Sequence, residues 1–298
     1  RVRANLSEPE PKLRERLTRI HEQSESDFVK ENVAVFVNMT PETFSGVYAN
    51  AVKETHWLSY LNYAALVSGD SFSTDNLAEG GTDVFIALDL KVLEAHPGLA
   101  RVVIGALMNA IYNRNGEVKG RTLFLLDEVA RLGYLRILET ARDAGRKYGI
   151  TLVMVYQSLG QLRDQWGGKD AVSDWFESTS WQSFSAITDV DTAKWLSERC
   201  GYYTQEIVTY SQQARSGGKG SGGVSVSAST ALQKRALIMP DEIINTMRRD
   251  EQLLFVGGVE PIRCGRPIYY RREDMKKLVG QNRFHTRDVQ EETVQKAA

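Results

Sequence analysis

Leu123-Phe124-Leu125-Leu126-Asp127-Glu128 is the stretch on which the reading of this sequence turns. Four apolar residues in a row fit a strand buried on both faces, the kind found in parallel sheets covered by helices. Such a strand delivers whatever follows it to the C-terminal edge of the sheet, where open α/β folds hold their ligands. Here the delivered groups are two carboxylates. In nucleotide hydrolysis the first can hold Mg²⁺, mostly through water because that ion dehydrates reluctantly. The second can orient or deprotonate the attacking water. Many strands end in acidic loop residues with no chemical task, so the pair gains meaning only from its neighbours.

The next strand, Ile150 to Tyr156, ends in Gln157. If the two strands lie side by side, this amide emerges near the carboxylates, where it can sense a γ-phosphate or position water; otherwise it is a plain loop amide. Between the strands a helix is expected from about Gly133 to Tyr148, with Tyr134, Ile137, Leu138, Ala141 and Tyr148 on one face. Arg142 and Arg146 fall at the margin of that face. A guanidinium left exposed there can reach a neighbouring subunit's phosphate in the manner of an arginine finger, although most such arginines only solvate a helix.

Elsewhere the pattern is that of alternating strands and helices. Val84 to Leu88 is a short apolar run, followed by a helical stretch from about Leu99 to Tyr112. Helical patterns cover 159–165, 170–178 and 189–200, a candidate strand covers 182–187, and late strands fall near 253–256 and 262–264. These elements predict an α/β core whose parallel sheet is covered on both sides. Residues 1 to about 62 read as helical, with Thr40 as an N-cap before Pro41 and a later helix near 47–63. From Arg1 to Glu31 seven basic residues face seven acidic ones, so the segment is a solvated face rather than a basic arm. The Gly- and Ser-rich stretch 214–230 reads as a mobile loop, and Pro240-Asp241-Glu242 as a helix start.

Composition narrows the classes. The chain has 298 residues, 42% hydrophobic and 25% charged, with a net charge of −1. That excludes a disordered tail and a disulfide scaffold, and it means that any grip on nucleic acid needs local charge asymmetry or assembly. Cys200 and Cys264 form no paired motif, so two buried thiols in a reducing compartment are expected. The four histidines show no metal spacing, and no Gly-x-Ser-x-Gly elbow is present. Trp166, Trp175, Trp181 and Trp195 are expected in the core rather than stacked on bases. No apolar run approaches the ~18 to 20 residues of a membrane span. A phosphate loop of the form GxxxxGK[ST] is also missing from the sequence. Either the Asp-Glu pair is not catalytic, or that loop lies upstream of Arg1; a longer protein is expected.

Taken together, Leu123–Glu128 with Val129-Ala130-Arg131-Leu132-Gly133, then Arg146–Ile150, then Tyr156–Leu162, resembles the coupling ATPases of type IV secretion systems, the TraG/VirD type. The likeness continues through Thr188–Ala193, Lys234–Ile243 and Pro261–Tyr270, and upstream through Thr43–Tyr48. The resemblance implies a RecA-like parallel sheet flanked by helices and preceded by part of an all-α domain. Residues 1–62 then belong to the all-α, substrate-recognition domain, 63–272 to the nucleotide-binding domain, and 273–298 to a polar tail. It implies ATP and Mg²⁺ as cofactors, Asp127 serving Mg²⁺ through water, Glu128 activating water, Arg146 acting in trans and Gln157 as sensor. It also implies a homo-hexamer at the cytoplasmic face of the bacterial inner membrane, partnered by secretion-channel ATPases, inner-membrane components, and relaxase–DNA complexes or effector proteins. Two other classes compete: a non-catalytic substrate receptor, and a related DNA-translocating ATPase.

Overall fold

The computed structural model describes residues 2–69, 72–114, 120–214 and 224–280. They form two compact units, residues 1–178 and 179–298, so the units part inside the segment 63–272.

The first unit opens with helices α1 (Val2–Leu6), α2 (Glu10–Gln23), α3 (Asp27–Val37) and α4 (Pro41–Glu54). Thr40 caps α4, its hydroxyl accepting the Thr43 N–H at 3.4 Å, with Pro41 in the first turn, where no N–H is required. The helix expected at 47–63 does not run through. α4 stops at Glu54, a 3-10 turn covers His56–Ser59, and α5 (Leu61–Leu66) follows. Trp57 is the buried residue of that turn, and Gly98 allows the close approach beside it, since a Cβ there would lie 3.2 Å from the Trp57 ring nitrogen.

Short helices α6 (Thr74–Glu79) and α7 (Leu90–Ala95) precede α8 (Pro97–Tyr112). α8 supplies the heart of this unit, burying Leu99, Ile104, Leu107, Met108 and Ile111. The strand expected at 84–88 does not form: the run has no ladder partner among the described residues, and Phe85 is 91% exposed. An apolar run becomes a strand only where a neighbour satisfies its backbone groups.

β1 (Thr122–Leu126) and β2 (Ile150–Met154) pair in parallel, Thr122 opposite Ile150 and Leu126 opposite Met154. Among the described residues only one face of this strand pair is covered, where both were expected to be. Phe124 is buried, but Leu123 and Leu125 on the other face are 58% and 63% exposed. Between the strands, α9 (Arg136–Ala144) gives way to a 3-10 turn at Gly145–Tyr148, shorter than the expected 133–148. Gly133 adopts φ +64, which ends any earlier helical start, and Gly145 packs so tightly that a Cβ would meet that of Ile150 at 3.2 Å. Gly149, at φ +74, turns the chain into β2. α10 (Leu159–Trp166) and α11 (Lys169–Ser178) close the unit, with Trp166 and Trp175 buried and their rings 4.5 Å apart.

The second unit contains β3 (Trp181–Phe184), α12 (Val190–Cys200), β4 (Tyr202–Ala214), β5 (Val224–Ala236), α13 (Pro240–Asn245), β6 (Glu251–Val256), β7 (Ile262–Gly265) and α14 (Glu273–Lys276). Its strands correct the expectation of one parallel sheet, because β3, β6 and β7 form a separate antiparallel sheet. The loop expected at 214–230 is corrected as well. Residues 224–230 belong to β5, which pairs along its whole length with β4 in a hairpin of thirteen residues a side, about 40 Å long. The glycines at 217, 218, 220, 222 and 223 lie outside the described residues. Val-Ser-Val-Ser-Ala-Ser alternates with period two, and this strand signature outweighs the Ser-rich composition.

Ala193, Leu196, Cys200, Ile238, Ile243, Leu253 and Phe255 make the core of this unit. Asp189 caps α12, accepting from the Thr192 N–H at 2.8 Å and its hydroxyl at 2.7 Å. Glu242 accepts the Met239 N–H at 2.7 Å and pairs with Arg235 at 2.8 Å, and these two bonds hold its carboxyl below the ordinary value. Thus two of the blocks that carry the family likeness are helix starts. Cys200 is buried, as expected, whereas Cys264 is only partly so. Trp195 is partly buried with Arg199 stacked on it at 4.6 Å, and Trp181 departs from the expected core position by standing half exposed.

Leu196, fully buried on α12, is expected to cost about 2–5 kcal/mol of unfolding free energy when replaced by Ala, from lost burial plus the cavity left behind. Val190→Ala, at an exposed site on the same helix, is expected to change it by less than about 0.5 kcal/mol. Urea unfolding curves of the two variants check this.

Candidate functional site

The parallel register decides which side chains meet. The pairing continues one residue beyond β2, the Val155 N–H donating to the carbonyl of Leu126 at the end of β1 at 3.0 Å. Asp127-Glu128 and Gln157 therefore leave neighbouring strands at the same edge. They meet there: the Gln157 side-chain amide donates to Glu128 Oε1 at 2.8 Å. The amide is itself oriented, since Gln161 donates to Gln157 Oε1 at 3.5 Å and accepts the Gln157 N–H at 3.1 Å. Ser158 caps α10 directly after it, accepting the Gln161 N–H at 3.2 Å.

Glu128 sits at φ +51, ψ +33, in the left-handed region that non-glycine residues seldom occupy. This bend turns the chain out of β1 into a 3-10 turn at Val129–Leu132, and the Glu128 N–H is held by Asp127 Oδ1 at 3.0 Å. Asp127 is exposed and takes part in no ion pair among the described residues. A hard carboxylate oxygen presented to solvent suits Mg²⁺, which keeps most of its waters and needs only one or two protein ligands. A protein-only cage is not what this edge offers, as no group of three acidic, His or Cys ligands occurs among the described residues. The residues fit the water-rich half of a magnesium–phosphate site.

The two arginines separate. Arg142 stacks over the Trp175 ring at 4.9 Å and pairs with Asp143 at 2.6 Å, its side chain only 14% exposed. Arg146 is exposed and has no ion pair or side-chain hydrogen bond among the described residues. It precedes β2, whereas Glu128 and Gln157 follow the ends of β1 and β2. About 16 Å of strand separates these ends. Arg146 therefore stands away from the carboxylates of its own chain.

Four further residues shape the edge: Arg131 from within the turn after β1, and Gln165, Tyr156 and Trp166 from the β2 side. Arg131 Nε donates to Glu128 Oε2 at 3.3 Å. Buried Gln165, on α10, donates to the Val129 and Gly133 carbonyls at 3.2 and 2.7 Å, tying the turn after β1 to the helix after β2. Its own oxygen accepts the Tyr156 hydroxyl at 2.7 Å, while the Trp166 ring donates to that hydroxyl at 2.9 Å. In the sequence this network is signalled by Tyr156 and Trp166, which carry polar atoms into an apolar setting.

The edge belongs to an α/β domain with a helical lead, and the sequence says which family that domain is part of. Residues 1–292 match the family of type IV secretory system conjugative DNA transfer proteins, and the chain belongs to that family. It is 73% identical over 285 residues to the conjugal transfer protein TraG of Agrobacterium fabrum, covering 96% of this chain and 42% of that protein. It is 48% identical over 284 residues to the type IV secretion system-coupling protein VirD4 of Bartonella quintana, covering 95% of this chain and 43% of that one. The chain thus spans less than half the length of these relatives. In fold it is similar to the plasmid coupling protein TrwB solved with ADP and Mg²⁺, at a TM-score of 0.57 and 19% identity over 86% of this chain and 57% of that one. Unbound TrwB matches at 0.56 and 20% identity, covering 87% and 58%. These likenesses establish the expected α/β fold.

Gln165→Leu leaves two carbonyls without their donor and is expected to cost about 1–3 kcal/mol in urea unfolding. Tyr156 supplies a pH signature. Burial pushes its phenol from the ordinary 10 up to about 12, against the opposing hydrogen bond from Trp166. The folded state keeps the proton longer than the unfolded chain, so this contribution to stability is whole below pH 10 and is lost as pH rises from 10 through 12. Unfolding free energies across that window are expected to fall less steeply for Tyr156→Phe than for the wild type.

Proposed function

We propose that this chain is the part of a hexameric coupling ATPase that carries the water-activating half of its hydrolytic site. The observation that supports the reading best is the 2.8 Å bond from Gln157 to Glu128 at the shared end of two parallel strands. In this reading Glu128 orients and deprotonates the attacking water, and Gln157 holds its carboxylate and answers to the γ-phosphate. Asp127 holds Mg²⁺, through water. The metal's contribution when bound is to neutralise charge on the phosphate oxygens. The phosphate loop, absent from these 298 residues, comes from the remainder of the full-length protein.

Arg146 completes the site of a neighbouring subunit. Its exposure, and its place at the opposite end of β2 from Glu128, favour action in trans over Arg142, which is stacked and paired. The full protein then recruits relaxase–DNA complexes, effector proteins or both, and drives their passage into a secretion channel from the cytoplasmic face of the inner membrane. Residues 1–62 form part of the substrate-recognition domain, 63–272 the nucleotide-binding domain, and 273–298 a polar tail. Exposed Phe28 and Val35 on α3 and Leu61 on α5 give this helical segment apolar footholds for a protein partner.

In full-length protein, Glu128→Gln is expected to lower ATP turnover roughly 10²-fold or more. Arg146→Ala subunits mixed into wild-type hexamers are expected to lower activity by more than their share of the mixture. Normal steady-state hydrolysis by the Glu128→Gln protein would overturn the assignment, and a strictly proportional loss in the mixtures would place Arg146 outside the neighbour's site.

A further inference from the structure

Glu128 is gripped from two sides. Gln157 holds Oε1, and the guanidinium of Arg131, three residues further along the 3-10 turn, donates through Nε to Oε2 at 3.3 Å. The other edge of that guanidinium is occupied too: Arg131 Nη1 donates to Glu94 Oε1 at 2.5 Å. Glu94 lies on α7, a helix started by Asp89, whose carboxylate accepts the Lys91 N–H at 2.9 Å. One planar cation therefore bridges a carboxylate on a separate helix to the one at the strand end.

We propose that Arg131 is a positioning residue for Glu128, held in its own orientation by Glu94. The inference rests on the reading that Glu128 activates water. Glutamate has a long, freely rotating side chain, and a base that must meet a water in one geometry gains from having its second oxygen fixed as well as its first. Gln157 alone leaves the carboxylate free to swing about the Oε1 contact. The fork of Arg131 removes that freedom because it is pinned at both edges, a task a lysine ammonium cannot perform in the same way. The three side chains are partly exposed, at 29% for Arg131, 34% for Glu128 and 58% for Glu94. Exposed pairs of this kind add little to folding stability, so loss of the bridge registers in rate rather than in unfolding.

The test is steady-state ATP hydrolysis by the full-length protein, with thermal unfolding alongside. For Arg131→Ala, kcat is expected to fall about ten- to a hundredfold, with KM for ATP within about twofold and the melting temperature unchanged. Arg131→Lys recovers only part of the loss. Glu94→Gln, which removes the charge that anchors the guanidinium, gives a smaller fall in kcat of the same type. Arg131→Ala combined with Glu94→Gln is expected to be no slower than Arg131→Ala alone, because Glu94 acts through Arg131. Wild-type kcat in Arg131→Ala, a rise in KM at unchanged kcat, full recovery by Lys, or additive losses in the double variant would each overturn the proposal. If Arg131→Ala fails to fold, the Lys and Glu94→Gln variants decide by the same criteria. Glu128→Gln separates the two levels. A fully active Glu128→Gln protein sinks the underlying reading, whereas an inactive one beside a normal Arg131→Ala protein sinks this inference alone.

Discussion

Parallel pairing of β1 with β2 sets where everything else at the candidate site must stand. An antiparallel partner would have carried Gln157 to the far end of β1; the parallel ladder brings it beside Glu128. Parallel strands need a long crossover, and the chain uses that crossover well. α9 and its 3-10 extension bury Leu138 and Ala141 on the inner side and leave Arg146 at the opposite end of the strands from the carboxylates. One pairing decision thus both gathers the Glu128 carboxylate with its amide partner and separates them from the exposed arginine.

Around that ladder the polar side chains work as braces. Gln165 is buried, and it binds two carbonyls of the turn after β1 while accepting from Tyr156. A buried amide is costly unless its groups are satisfied, and here one residue satisfies backbone groups that a sharp turn would leave exposed to apolar surroundings. The turn carrying Glu128 is consequently fixed from the inside by Gln165 and from the outside by Gln157 and Arg131. Rigid support of this sort is what a short loop needs if it is to present a carboxylate in one geometry.

Local chemistry made much of this legible. The apolar run ending in Asp-Glu announces a strand end and Thr40-Pro41 a helix start, and both stand where the pattern puts them, whereas the second strand stops at Met154, two residues short of the expected Tyr156. Pairing is a different matter, since it depends on contacts between distant residues. The run at 84–88 has the composition of a strand but no ladder partner among the described residues. β3, β6 and β7 turn antiparallel because of how their chains return, which no short window records. In β5 the alternation of Val224 to Ser229 carries the strand signal, while the Gly- and Ser-rich composition around it is that of a loop. Arg131 with Glu94 and Gln165 with Gly133 are 37 and 32 residues apart, so nothing in either neighbourhood announces them.

The backbone of Glu128 carries a last consequence. Its left-handed conformation is one that glycine enters freely and a branched or long side chain enters at a cost of about 1–3 kcal/mol. Judged by folding alone, the position belongs to glycine. It holds a carboxylate instead, so a Glu128→Gly exchange would relieve that backbone cost while removing the side chain that Gln157 and Arg131 hold.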